Sequence, residues 1–201
     1  MSFFENTRKP EGFGGKLMVA MMNVGHSAVA RWGLQFLELA PDARVLDCGC
    51  GGGANIKRLL KKYPQGIVKG IDYSPVSVEK SKKVNEAAIV EGRCAVLQGN
   101  VADMMFAGDW FDAVTAFETV YFWPDLPQCF REVYRVLKPG GTFLICNEAN
   151  GDTDKDERWT KLIGGMTIYK DVELKAYLEQ AGFHDVQIHK KKSWLCITAW
   201  K

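Results

Sequence analysis

Residues 43–54 read ARVLDCGCGGGA, and this stretch decides the fold. Its first half, Ala43 to Cys48, follows the punctuation of Pro41-Asp42 and is a short apolar run of the kind that forms a buried strand. Its second half is a glycine cluster, Gly49-Cys50-Gly51-Gly52-Gly53, that opens directly into a helical segment, Ala54 to Tyr63. Glycine lets a backbone turn sharply and approach a ligand with no Cβ in the way. Gly49, Gly51 and Ala54 also satisfy the loose dinucleotide spacing G-x-G-x-x-G/A. A strand, a glycine turn and a helix in that order make the first half of a βαβ unit.

Working outward, the same alternation repeats. Ile67 to Ile71 is a second strand, and Pro75 to Val90 a second helix with Ser74 as N-cap and Pro75 in its first turn. Cys94 to Gln98 and Phe111 to Phe117 are the third and fourth strands. Asp125 to Leu137 is a helix closed by Lys138-Pro139-Gly140-Gly141, and Thr142 to Glu148 is the fifth strand. Strands separated by helices at this spacing predict right-handed crossovers and a mainly parallel sheet covered on both faces. The end differs: after a helix over Asp171 to Ala181, Asp185 to Lys190 and Trp194 to Trp200 are too close for a crossover and must form an antiparallel hairpin. The expectation is a doubly wound α/β fold with a mainly parallel seven-stranded sheet that ends in an antiparallel hairpin strand.

Upstream, Leu17 to Leu39 carries apolar residues at helical spacing, preceded by an irregular arm rich in aromatic residues, proline and glycine. Residues 1–40 therefore read as an arm and helix covering the mouth of a core that spans 41–201. The charged, glycine-containing segment 148–170 reads as a lid.

Bulk composition narrows the function classes. The chain has 201 residues, 47% of them hydrophobic and 25% charged, which suits one ordinary globular domain. Its 26 basic and 24 acidic residues leave a net charge of +2 and no broad field for nucleic acid. The six cysteines include Cys146 and Cys196 within apolar runs, where cysteine behaves as a small hydrophobe. With no secretory leader in MSFFENTRKPEGFGG and no bilayer-length apolar stretch, the expectation is a reduced, cytoplasmic protein. Cys48-x-Cys50 has no second pair at zinc spacing, and His184 and His189 align with no cysteine pair, so no metal is expected.

Ligands of open α/β sheets bind at the carboxyl ends of the strands, where the glycine cluster sits. Asp72 ends the second strand about twenty residues further on, the place of a carboxylate that takes the ribose hydroxyls of an adenosine. NAD and S-adenosylmethionine both contain that adenosine. Asp47 favours the second: an acid inside the strand end needs a partner, which an ammonium group supplies and a pyrophosphate does not. The terminal hairpin, which dinucleotide domains do not require, points the same way.

Taken together, VLDCGCGGG (45–53), GIDYS (70–74), FDAVTAFETVYFWPDL (111–126) and EVYRVLKPGG (132–141) resemble the ordered motifs of class I S-adenosylmethionine-dependent methyltransferases. The likeness runs over roughly 40–148 and continues in the terminal hairpin, with the small-molecule branch that includes the ubiquinone and menaquinone biosynthetic enzymes nearest. The resemblance implies that Asp47 faces the methionine ammonium, Gly49 and Gly51 lie against the cofactor, Asp72 holds the ribose and Tyr73 packs beside the adenine. Phe117 and Glu118 would border the methionine part, with Asn100 and Val101 at the adenine. Relatives carry Gly-Asp where this chain has Gly99-Asn100, so the adenine contact falls to the Asn100 amide or to nearby Asp103.

Transfer of a sulfonium methyl asks mainly for in-line alignment and a deprotonated acceptor. Candidates to line the acceptor side, and to serve as base if the acceptor needs one, are His26, Glu118, Tyr121 and Tyr169. Tyr121-Phe122-Trp123 is expected to wall the pocket. The position after the fourth strand lacks the amide-Pro-Pro-aromatic motif of enzymes that methylate exocyclic base amines, so a small-molecule acceptor is expected and no nucleic acid. The competing readings are a non-catalytic S-adenosylmethionine-binding protein and a nicotinamide-dependent enzyme.

Overall fold

The structure, a computed structural model, describes residues 26–152 and 154–201. Seven strands, β1 (Arg44–Cys48), β2 (Ile67–Asp72), β3 (Cys94–Gln98), β4 (Phe111–Phe117), β5 (Leu137–Asn147), β6 (His184–Lys191) and β7 (Trp194–Trp200), form one sheet. Their spatial order is β3-β2-β1-β4-β5-β7-β6. β1 pairs in parallel with both β2 and β4, so the strand order reverses beside it and opens the crevice where ligands of such sheets bind. β7 is antiparallel to both β5 and β6.

The helices are α1 (Ser27–Gly33), α2 (Ala54–Lys62), α3 (Pro75–Val84), α4 (Glu86–Val90), α5 (Leu126–Val136), α6 (Asp154–Leu162) and α7 (Asp171–Gln180), with single 3-10 turns at Leu34–Phe36 and Val120–Phe122. Strand side chains alternate between faces, and each face has its own core. Leu46, Val114, Ala116, Phe143 and Ile145 pack with Phe130 and Val133 of α5 and Leu174 and Leu178 of α7. Val45, Ala113, Leu144 and Cys146 pack with Val29 of α1, Ile56 and Leu59 of α2 and Val78 of α3. Residues 1–25, which hold the expected arm and the start of the Leu17–Leu39 helix, lie outside the described residues. Among the described residues no helix is long and apolar enough to cross a membrane.

Three boundaries depart from the sequence reading. The Pro75–Val90 helix breaks at Asn85, whose buried amide donates to the carbonyls of Gly53 at 3.1 Å and Ser81 at 2.9 Å. The fifth strand starts at Leu137 and not at Thr142: Phe111 pairs with Leu137 and Ala113 with Thr142, so residues 138–141 bulge out without ending the ladder. Segment 148–170 contains a helix, α6, so it is not a bare connection.

Candidate active site

The turn after β1 is built by its hydrogen bonds. Gly49 and Cys50 donate to the Ile71 carbonyl, tying the glycine cluster to the end of β2. Gly49 adopts φ +70°, and a Cβ there would lie 1.9 Å from Thr119 Oγ1, so only glycine fits. Gly51 adopts φ +50° and has open space where its Cβ would stand. Asp72 fixes the second wall: its Oδ2 accepts from Gly51 N and its Oδ1 from Ser74 N, both at 2.9 Å. Burial raises the Asp72 pKa above the ordinary carboxylate value, against those two backbone donors.

These loops enclose a cavity of about 510 Å³. On one side it is lined by Gly49, Gly51, Asp72, Tyr73, Asn100 and Val101, and on the other by His26, Phe117, Glu118, Phe122 and Trp123. The structure thus brings most of the sequence-derived residues to one space. Asn100 lines the cavity and its amide oxygen accepts from Ala102 N at 3.0 Å, while Asp103 is not part of the cavity wall.

Asp47 lies behind the wall, 1% exposed, opposite Thr115 in the β1–β4 register. Its Oδ1 accepts from Thr115 Oγ1 at 2.8 Å, while Oδ2 is buried with no hydrogen-bond partner among the described residues. Burial pushes its pKa up to about 7, with Thr115 opposing and Asp72 adding to the shift. A buried acceptor left unpaired beside a glycine cradle fits a cofactor that brings its own cationic donor.

Besides Asp47, two expected residues, Tyr121 and Tyr169, do not line the cavity. The Tyr121 hydroxyl is buried and engaged with the Ala149 backbone, accepting from its N–H at 3.0 Å and donating to its carbonyl at 3.3 Å. Tyr169 packs edge-on against Tyr177 over the α5–α7 core.

His26 stands just before α1, its Nδ1 3.5 Å from Glu118 Oε2. Burial alone would lower the imidazole pKa, but the carboxylates of Glu118 and Glu148 outweigh it and the net shift is upward. Burial likewise raises the Glu118 pKa, with His26 opposing and Glu148 adding. Glu148 and Arg58 are absent from the sequence-derived set. Arg58 lines the cavity on the second turn of α2, its guanidinium held by Asn55 Oδ1 at 2.7 Å and Ser27 Oγ at 2.8 Å. Its position just past the glycine cluster was the available signal.

A family model for a methyltransferase domain matches residues 46–145. The cycloartenol-C-24-methyltransferase of Arabidopsis thaliana is 32% identical over 157 residues, covering 73% of this chain and 46% of its own length. A protein named as a methyltransferase, YrhH of Bacillus subtilis (strain 168), is 28% identical over 82% of each chain. The chain spans 31% and 46% of the lengths of the first two plant relatives. Among solved structures, a phosphoethanolamine N-methyltransferase of Haemonchus contortus superimposes with a TM-score of 0.81 at 14% identity, over all of this chain and 61% of that one. That structure holds bound S-adenosylhomocysteine, and at that identity the likeness speaks for the fold. The family match falls on the segment that carries the glycine cradle, Asp72 and the unpaired Asp47, and on these grounds the chain belongs to the class I S-adenosylmethionine-dependent methyltransferases.

Proposed function

We propose that this chain transfers the methyl group of S-adenosylmethionine to a small-molecule acceptor by in-line displacement. The observation that carries the reading is the single cavity joining the Gly49–Gly51–Asp72 cradle to a wall of different character, made by His26, Glu118, Phe122 and Trp123. Asp72 would take the ribose hydroxyls, Asp47 the methionine ammonium, Tyr73 and Val101 the adenine faces, and Phe117 the methionine chain. The bound cofactor supplies the activated methyl; the chain aligns the acceptor, excludes water and manages the acceptor's proton. His26, paired with Glu118, is the group placed to hold that proton.

A cavity of about 510 Å³ must take both cofactor and acceptor, which favours a small acceptor or one that enters by its reacting end. The sterol methyltransferases among the relatives make an apolar acceptor with a carbon nucleophile one class to screen. Residues 1–40 and 148–170 would close over the cavity as cover and lid. The net charge of +2 supports a partner other than nucleic acid, and six unpaired buried thiols suit a reducing, cytoplasmic location.

The test is calorimetric titration with S-adenosylhomocysteine, with NAD in parallel, followed by an acceptor screen that reads S-adenosylhomocysteine release. Binding of the first without the second, then turnover with one acceptor class, is the expected result. Binding of NAD alone would sink the proposal. Cofactor binding with no turnover across the panel would favour a regulatory S-adenosylmethionine-binding protein.

A further inference from the structure

Three segments far apart in sequence meet at the carboxyl edge of the sheet. His26 precedes α1, Glu118 follows β4 and Glu148 follows β5. One ligand-capable atom from each lies within 4.8 Å of the other two. Spacings of this size close onto an ion with modest side-chain motion, since bonds of about 2.0–2.2 Å set its ligands roughly 3–3.5 Å apart.

Glu118 is held for this arrangement from two directions. Its backbone adopts φ 58°, a left-handed conformation that costs a non-glycine residue about 1–3 kcal/mol and persists where surroundings enforce it. Its Oε1 accepts the backbone N–H of Glu148, which turns Oε2 toward His26. The Glu118 side chain is only 9% exposed, so its charge is poorly served by water. Two carboxylates share this gap against one imidazole, and His26 is the only ion-pair partner of either among the described residues. The set is short of positive charge.

We propose that His26, Glu118 and Glu148 form a binding site for one divalent metal ion. One imidazole nitrogen and two carboxylate oxygens suit zinc, cobalt, manganese or ferrous iron; a cuprous ion would select thiolates, and calcium or magnesium an all-oxygen shell. Three protein ligands leave a coordination position open, as catalytic rather than purely structural sites do. His26 and Glu118 line the same cavity as the cofactor cradle, so that position faces the acceptor side. Metal binding does not depend on the methyl-transfer reading; use of the ion by an acceptor does. The ligands stand at positions 26, 118 and 148, spacings that no metal motif in the sequence reveals.

The experiment titrates Zn2+ calorimetrically into chelator-treated full-length protein and records the absorption of the Co2+ form. One ion per chain is expected, with a Co2+ spectrum free of the near-ultraviolet band that thiolate ligands give. Glu148→Gln and His26→Ala should each weaken Zn2+ binding at least ten-fold. The thermal transition of each metal-free variant, and its S-adenosylhomocysteine binding, report separately that fold and cofactor site persist. The proposal fails if wild-type protein that binds S-adenosylhomocysteine takes up no Zn2+, if Glu148→Gln binds it as wild type does, or if the Co2+ spectrum shows thiolate ligation.

Discussion

At the scale of single residues, Asp47 carries a consequence for stability. Its carboxyl group sits at a pKa of about 7 in the folded chain, against about 3.9 in an unfolded one. Between those values the folded state binds the extra proton, so stability from this group is greatest below pH ~4, falls as pH rises to 7 and is flat above. The difference amounts to roughly 4 kcal/mol at most, at about 1.4 kcal/mol per unit. Asp47→Asn should therefore be more stable than wild type at pH 8 and match it near pH 4, as read by urea unfolding without cofactor. Equal stabilities at pH 8 would show that folding does not raise the Asp47 pKa. Cofactor binding has the opposite dependence: an ammonium beside Asp47 favours the ionised form, so affinity should rise with pH up to about 7 in wild type and not in Asp47→Asn. Titrations at pH 6 and 7.5 measure it. Asp47 and Asp72 were legible in the sequence because each lies beside the motif that gives it meaning. Glu148 was not, because its significance comes from His26 and Glu118, which only the folded chain brings near, and Arg58 had only its place past the glycine cluster to mark it.

At the scale of elements, the seat of α1 on the sheet is the contact most open to test. Gly33 faces Cys146 of β5 closely enough that a Cβ would stand 2.5 Å from Cys146 Sγ. Cys146 also leans on the same helix, its Sγ 3.5 Å from the Val29 carbonyl. Gly33→Ala gains helix propensity of about 1 kcal/mol but overpacks a buried contact, which typically costs 1–3 kcal/mol. The expected net effect is destabilisation by roughly 0–2 kcal/mol. Cys146→Ala should restore room, so the double variant should be more stable than Gly33→Ala alone; a strictly additive cycle would mean the two do not touch. Strand and helix positions were readable from periodicity almost throughout. The exceptions were long-range: Asn85 breaks its helix to satisfy Gly53, thirty-two residues away, and the Lys138–Gly141 turn is bridged by a ladder to Phe111 and Ala113. Local sequence has no access to either partner.

At the scale of the whole molecule, parallel strands deliver the ends of β1, β2, β4 and β5 to one edge, so one ligand touches loops that belong to both faces' cores. The cofactor should therefore act as a further cross-link between these loops. Mass action puts its stabilisation at about 2.7 kcal/mol when it is present at 100 times its Kd. For a chain of this size each kcal/mol moves Tm by about 2–4 °C, so S-adenosylhomocysteine should raise Tm by roughly 5–11 °C. Asp72→Ala removes the carboxylate that bridges Gly51 and Ser74 and that, on the proposed function, takes the ribose hydroxyls; it should cut the shift at the same ligand concentration. A loss of about 1.5–3 kcal/mol in binding, the scale of a hydrogen bond to a charged group, leaves about 0.3–1.3 kcal/mol of ligand stabilisation. NAD should move neither protein, because its pyrophosphate would meet the buried Asp47 carboxylate where the methionine ammonium is expected. Differential scanning fluorimetry of both proteins with both ligands decides the matter: equal shifts for wild type and Asp72→Ala would remove Asp72 from the ribose site, and a shift with NAD would overturn the charge argument built on Asp47.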